Sequence, residues 1–258
     1  QGERSYLMAD THLIANREDF ERYPWPEIAN ADGSPLEEVA RLLPDGMKVI
    51  AGSAGVLENV MWLLGYEGIS YLLADDEPLV RDMFDAVGSR IVALVDLQAS
   101  YDAVGAIVMG GDMGFKTQTL VSPAVLREYV FPWHKKIVEA AHRHGKPIIL
   151  HSCGNLTEVM DDIIACGWDA KHSFEDQIQP VWEAKARYGE RISLLGGLDM
   201  DKIARLPDDE VRRQTRLLIE RCAPGGGWAL GTGNTVANYI PLNNFLAMLE
   251  EGWRVGKY

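Results

Sequence analysis

The sequence predicts an α/β protein of the (β/α)8 (TIM) barrel type, on three observations. Apolar, strand-like runs alternate with longer amphipathic segments along most of the chain. The runs end in polar and glycine-rich clusters, "GGDMG", "HSCGN", "HSFED", "GGLD" and "GTGN", and a barrel gathers such strand ends at the face where its ligands bind. Neither a G-x-G-x-x-G turn nor a P-loop is present, whereas an open doubly wound sheet usually carries one such turn early.

Each element follows from local pattern. "MKVIAGS" reads as a strand that closes on the small residues Gly52 and Ser53. Residues 77–101 carry Leu79, Met83, Phe84, Val87, Ile91, Leu94, Val95 and Leu97 at helical spacing. "AVGAIVMGGDMG" is the next strand. The helix after it starts with Ser122 as N-cap and Pro123 in the first turn, and stops at Gly145. Pro132 should bend it, because proline lacks the N–H and its ring meets the carbonyl one turn back. Four further pairs follow: "KPIILHSCG" with "NLTEVMDDIIACG", "DAKHSFED" with "IQPVWEAKARYG", "RISLLGGLD" with "PDDEVRRQTRLLIERC", and "GWALGTGN" with "PLNNFLAMLEEGWR". Six strands are clear, and "SYLMAD" is a candidate seventh. The opening without Met points to a missing N-terminal strand or segment, which would account for the shortfall. Short connections favour one domain over residues 1–258.

Composition narrows the function. The chain is 47% hydrophobic and 24% charged, with a formal net charge of -13. An acidic surface disfavours nucleic acid and anionic membranes as partners, and no apolar run approaches the roughly 18 residues of a membrane span. Three cysteines, Cys153, Cys166 and Cys222, do not make a disulfide framework and fit a reducing cytoplasm. A small-molecule substrate is the expected partner, and a homo-oligomer is left open.

The strand ends supply the chemistry. His151 and Cys153 stand two apart at the end of a strand, so their side chains point to one side. Imidazole nitrogen and thiolate sulfur are both zinc ligands. The alternative is a hydrogen-bonded histidine beside a packed thiol. His172 ends the next strand, with Glu175 close behind; both are candidates for acid–base work or for fixing an imidazole tautomer. Glu175 with Asp176 also fits a helix-start charge cluster. Asp112, after two glycines, is a third catalytic candidate. Ser53, Lys116, Asn155, Asp199 and Asn234 lie at the same ends and are candidates for binding substrate, although Lys116 fits a partner for Asp112 and Asp199 fits a helix cap. His134, His142 and His144 share one helix, Cys166 and Cys222 read as packed thiols, and Trp62, Trp182, Trp228 and Trp253 read as core.

"DMGFKTQTLVSPAVLREYVFPWHKKIVEAAHRHGKPIILHSCGN", followed by "LGGLD" and "GTGN…YIPLNNFLAML", resembles the uroporphyrinogen decarboxylase superfamily from about Gly46 to Gly252. The resemblance implies the barrel, with its ligand at the C-terminal face, and one of two chemistries. The decarboxylases of the acidic tetrapyrrole of porphyrin and heme biosynthesis work without metal or cofactor, through an N-terminal Arg cluster, an Asp and a late His. Those blocks are not visible, and Thr232, Gly233 and Asn234 stand where the late His should fall. The other branch, the corrinoid-linked methyltransferases, binds zinc through a His-x-Cys pair and a later Cys. His151 and Cys153 match the pair, and the later Cys is absent, which leaves His172, Glu175 or a water to complete the set. The reading favoured by the resemblance is a methyltransferase that moves a methyl group between a small donor or acceptor and a corrinoid (cobalamin) on a partner protein. Tetrapyrrole decarboxylation and a non-catalytic tetrapyrrole or corrinoid binder are the alternatives.

Overall fold

Residues 12–256 are described by a computed structural model of the chain, and "SYLMAD" lies outside them. These residues form two compact units, 12–112 with 121–148, and 113–120 with 149–256.

The first unit holds α1 (Arg17–Arg22), α2 (Ser34–Leu42), β1 (Val49–Ala54), α3 (Val56–Leu64), α4 (Tyr66–Asp75), α5 (Glu77–Ala99), β2 (Val104–Gly110), α6 (Pro123–Val125) and α7 (Phe131–Arg143). β1 and β2 run parallel, with Ala51 opposite Ile107 and Ser53 opposite Met109. The α5 helix begins where Asp76 accepts a hydrogen bond from the Leu79 N–H. It buries Leu79, Met83, Phe84, Val87, Ile91 and Val95, the spacing read from the sequence. The predicted bend at Pro132 takes a definite form. Residues Leu126–Val130 make a π-helical turn between α6 and α7, with the Phe131 N–H reaching back to the Leu126 carbonyl. One extra residue in the turn lets the ladder pass a proline. Ser122 caps the start, its hydroxyl accepting from Val125 N–H at 3.3 Å, and Gly145 stops the run with φ +65°.

In the second unit lie β3 (Ile148–His151, from Ile149 on), α8 (Met160–Ala165), β4 (Ala170–His172), α9 (Val181–Tyr188), β5 (Ser193–Leu195), α10 (Met200–Arg205), α11 (Asp208–Cys222), β6 (Trp228–Ala229) and α12 (Leu242–Val255). β3 pairs with β4, β4 with β5 and β5 with β6, all parallel. His151 stands opposite His172 in that ladder. The α11 and α12 helices are joined through Glu251, 2% exposed, which accepts from Arg216 and Arg254.

In each unit the strand order follows the chain, as in a barrel built from successive β-α units and unlike the reversal of a doubly wound sheet. The α/β class therefore holds, with six of the strands of a (β/α)8 fold among the described residues. No helix among them is long and apolar enough to cross a membrane. Cys166 and Cys222 are packed as expected, at 8% and 0% exposure, and burial pushes the Cys222 thiol up to about 11. None of the four tryptophans read as core is buried: Trp182 and Trp228 are half-buried, and Trp62 and Trp253 are 41% and 77% exposed.

Candidate functional site

The ends of β3 and β4 carry a chain of hydrogen bonds that fixes the state of His151. His172 Nε2 lies 3.1 Å from the Thr232 carbonyl oxygen. A carbonyl only accepts, so this nitrogen carries a proton. Burial, opposed by the Thr232 bond and aided by Lys171 and by any positive charge on His151, holds His172 below the usual histidine range, which favours its neutral ring. A neutral ring protonated on Nε2 presents Nδ1 as an acceptor. His151 Nδ1 lies 2.7 Å from it and must donate. In neutral His151 the remaining nitrogen, Nε2, then offers a lone pair, and it faces Cys153 Sγ at 3.5 Å. One backbone carbonyl thus orders two rings in series, as the outer partner of a ligating histidine does in metal sites.

Cys153 sulfur receives two further contacts. Asn234 Nδ2 donates to it at 3.1 Å. The amide is oriented by its own oxygen, which accepts from the Thr235 N–H at 2.7 Å. Ser173 Oγ donates at 3.3 Å. Ser173 is the non-glycine residue with φ in the left-handed region among the described residues, at +86°. Such backbone is costly without glycine and clusters at functional sites. Here it turns the hydroxyl onto the sulfur. Two N–H and O–H donors aimed at one sulfur favour negative charge there.

The "HSCGN" tip is held from behind. Gly154 has φ +84°, and a Cβ on it would fall 2.2 Å from the Gly114 carbonyl carbon, so only glycine lets the 113–120 loop lie against the tip. Ser152 Oγ accepts from the Met113 N–H, the Asn155 N–H donates to the Phe115 carbonyl, and Asn155 Nδ2 donates to Thr117 O. Asn155 is therefore engaged in building this loop. Asp199 caps α10, accepting from Asp201 and Lys202 N–H, and also accepts from Asp176 N–H. Lys116 is exposed on the 113–120 loop. Glu175 faces a small hollow shared with Gly154, Lys171, Ser173 and Phe174. Lys171, 4% exposed, donates there to the Ser173 carbonyl. Of the residues expected in the second unit, His151, Cys153, His172 and Asn234 come together.

Asp112 and Ser53 belong to the first unit. At the end of β2, Gly111 lies so close to Gly55 that a Cβ on Gly55 would sit 2.4 Å from the Gly111 Cα. This close approach sets the first turn of α3 beside Asp112, whose N–H donates to the Glu58 carboxylate. Burial first, and then the Asp112 charge, raise Glu58 above its usual value. Sequence reading passed over Glu58 and Ser173. The signal for Ser173 was present in the repeated His-Ser pair at successive strand ends, "HSCGN" and "HSFED". Glu58 had a weaker one, an acidic residue one turn beyond a glycine-rich strand end.

Parallel strands in chain order define an α/β protein with a histidine pair and a thiol at its strand ends. The chain belongs to the uroporphyrinogen decarboxylase (URO-D) family, whose model matches residues 9–252. It is 23% identical over 163 residues to the methylcobamide:CoM methyltransferase MtaA of Methanosarcina barkeri, a match that covers 63% of this chain and 41% of that protein. The MtaA of Methanosarcina barkeri strain Fusaro / DSM 804 gives the same figures. The match spans less than half the length of these relatives. Among solved structures, a methyltransferase from Methanosarcina mazei superimposes with a TM-score of 0.72 at 16% identity, covering 94% of this chain and 68% of that one. At that identity the likeness speaks for the fold.

Proposed function

We propose that this chain acts, as one domain, as a methyltransferase that moves a methyl group between a small donor or acceptor and a corrinoid on a partner protein, with zinc held by His151 and Cys153. The observation that carries this reading is the bond sequence from Thr232 through His172 to His151, which leaves a nitrogen lone pair 3.5 Å from the Cys153 sulfur. The donor set fits the metal. Ligands at about 2.0 Å (nitrogen) and 2.3 Å (sulfur) on a tetrahedral zinc are about 3.5 Å apart. The match of one family model across 9–252 and the homology to MtaA support the same reading.

Zinc, when bound, supplies Lewis acidity that lowers the pKa of a thiol or draws charge from a leaving group. The protein's own part is positional. Thr232 and His172 favour the His151 tautomer with its proton on Nδ1 and its lone pair on Nε2. Asn234 and Ser173 hold the sulfur by hydrogen bonds and keep its lone pairs directed. Glu175 borders the hollow beside Ser173, and Asp112 with Glu58 supplies a carboxylate pair in which Glu58 retains its proton to higher pH than an ordinary glutamate.

Metal analysis of the purified protein tests this. About one zinc per chain is expected, lost in His151→Ala and in Cys153→Ala, together with thiol-dependent demethylation of methylcobalamin followed by its absorbance. Turnover of uroporphyrinogen by metal-free protein would replace this reading with the decarboxylase. Tight corrinoid binding without turnover of any methyl donor would replace it with a binder.

A further inference from the structure

The first unit contains a cavity of about 410 Å³ that the proposed chemistry does not use. Tyr23, Trp25 and Trp62 with aliphatic residues such as Leu94 give it an apolar wall, and Arg90 and Ser53 give it polar points. Its volume lies in the range of small-molecule sites. Tyr23 packs edge-on to Trp25, with centroids 4.7 Å apart, and the Arg90 guanidinium lies 4.9 Å from the Trp25 ring centre. Nε and one terminal nitrogen of Arg90 donate to the Pro26 and Ala86 carbonyls. Both partners are neutral, and no carboxylate pairs with Arg90 among the described residues. A half-buried guanidinium without a counter-ion is unusual in a chain of net charge -13, where acidic groups abound to pair with it. Ser53 Oγ is buried and has no hydrogen-bond partner, and such a group costs stability until something meets it.

The geometry points to a binding site for a small monocarboxylate with an aromatic or aliphatic body. The carboxylate meets the Arg90 fork, which suits planar two-oxygen recognition. The apolar body lies against Trp25, Trp62 and Leu94. The inference does not depend on metal at His151 and Cys153, because every residue it uses belongs to the first unit.

Benzoate and its neutral isostere benzamide, titrated into the full chain by calorimetry and by tryptophan fluorescence, test the site. Benzoate should bind saturably, and benzamide about ten-fold or more weaker. Arg90→Gln should bring benzoate down to the level of benzamide, Arg90→Lys should restore part of the difference, and Leu94→Trp should fill the cavity and abolish both. Circular dichroism checks that each variant is folded. Equal affinity for the two probes, no saturable binding of either, or unchanged benzoate binding in folded Arg90→Gln overturns the inference. Should Arg90→Gln not fold, the benzoate-to-benzamide ratio of the native chain decides it.

Discussion

At His172 a single carbonyl oxygen decides the chemistry of a neighbouring ring. Because Thr232 O fixes the Nε2 proton, His172→Phe leaves the His151 Nδ1–H without its acceptor. Zinc affinity, read by competition with a chromogenic chelator, should then fall by about 10- to 100-fold while the fold survives. Unchanged affinity would mean that the ring order is incidental. Ser173 allows its strain to be separated from its hydrogen bond. Ser173→Ala and Ser173→Gly both lose the contact to sulfur, and only glycine relaxes at φ +86°. Ser173→Gly should therefore be more stable than Ser173→Ala by about 1 kcal/mol in chemical denaturation. Equal stabilities would remove the case for strain. His151 and Cys153 were legible in the sequence because residues two apart on a strand share a face. The contacts of Asn234 and Ser173 with Cys153 were not, because they join residues 81 and 20 positions away, and no local period records such a distance.

Among the elements, the helices read from the sequence from α5 onward are present, whereas α1 to α4 were not read from it. Asp76, Ser122 and Asp199 cap α5, α6 and α10 through their side chains, since a short acceptor before an apolar periodic run satisfies the free N–H groups of the first turn. The π-turn before α7 was visible only as an expected bend at Pro132. Where the extra residue enters depends on the packing of Leu126, Tyr129 and Val130, all buried. The junction of β1 and α3 gives a test at this scale. Gly55→Ala would drive a Cβ to 2.4 Å from the Gly111 Cα, whereas a Cβ on Gly52 meets Val108 at an ordinary 3.7 Å. The first substitution should cost about 1–3 kcal/mol by chemical denaturation and the second far less. Similar costs would show that the α3–β2 approach is not tight.

For the whole molecule, acid stability follows from groups outside the candidate site. His134, 1% exposed, is pushed down to about 3 by burial. Its folded value lies below the unfolded one, so protons favour the unfolded chain, and stability present above about pH 6.5 is lost as pH falls toward 3, at about 1.4 kcal/mol per unit. Glu251 is held down to about 2 by Arg254 and Arg216; its contribution is present above the ordinary glutamate value and is lost below it, in the same direction. Denaturation midpoints should drop on acidification below pH 6.5, and His134→Gln should flatten the upper part of that slope if it folds. A profile level from pH 7 to 4 would contradict the burial of His134. The sequence by itself determined the α/β class, the order of the strands and the placing of His151 and Cys153 together at one strand end, because periodicity, caps and strand alternation act between residues a few positions apart. Only the tertiary structure decided which imidazole tautomers the hydrogen bonds favour, that Glu58 meets Asp112, and that Arg90 lines an apolar cavity with no carboxylate partner among the described residues. Those outcomes depend on distances between side chains that folding brings together from far along the chain, and on the water it excludes around them.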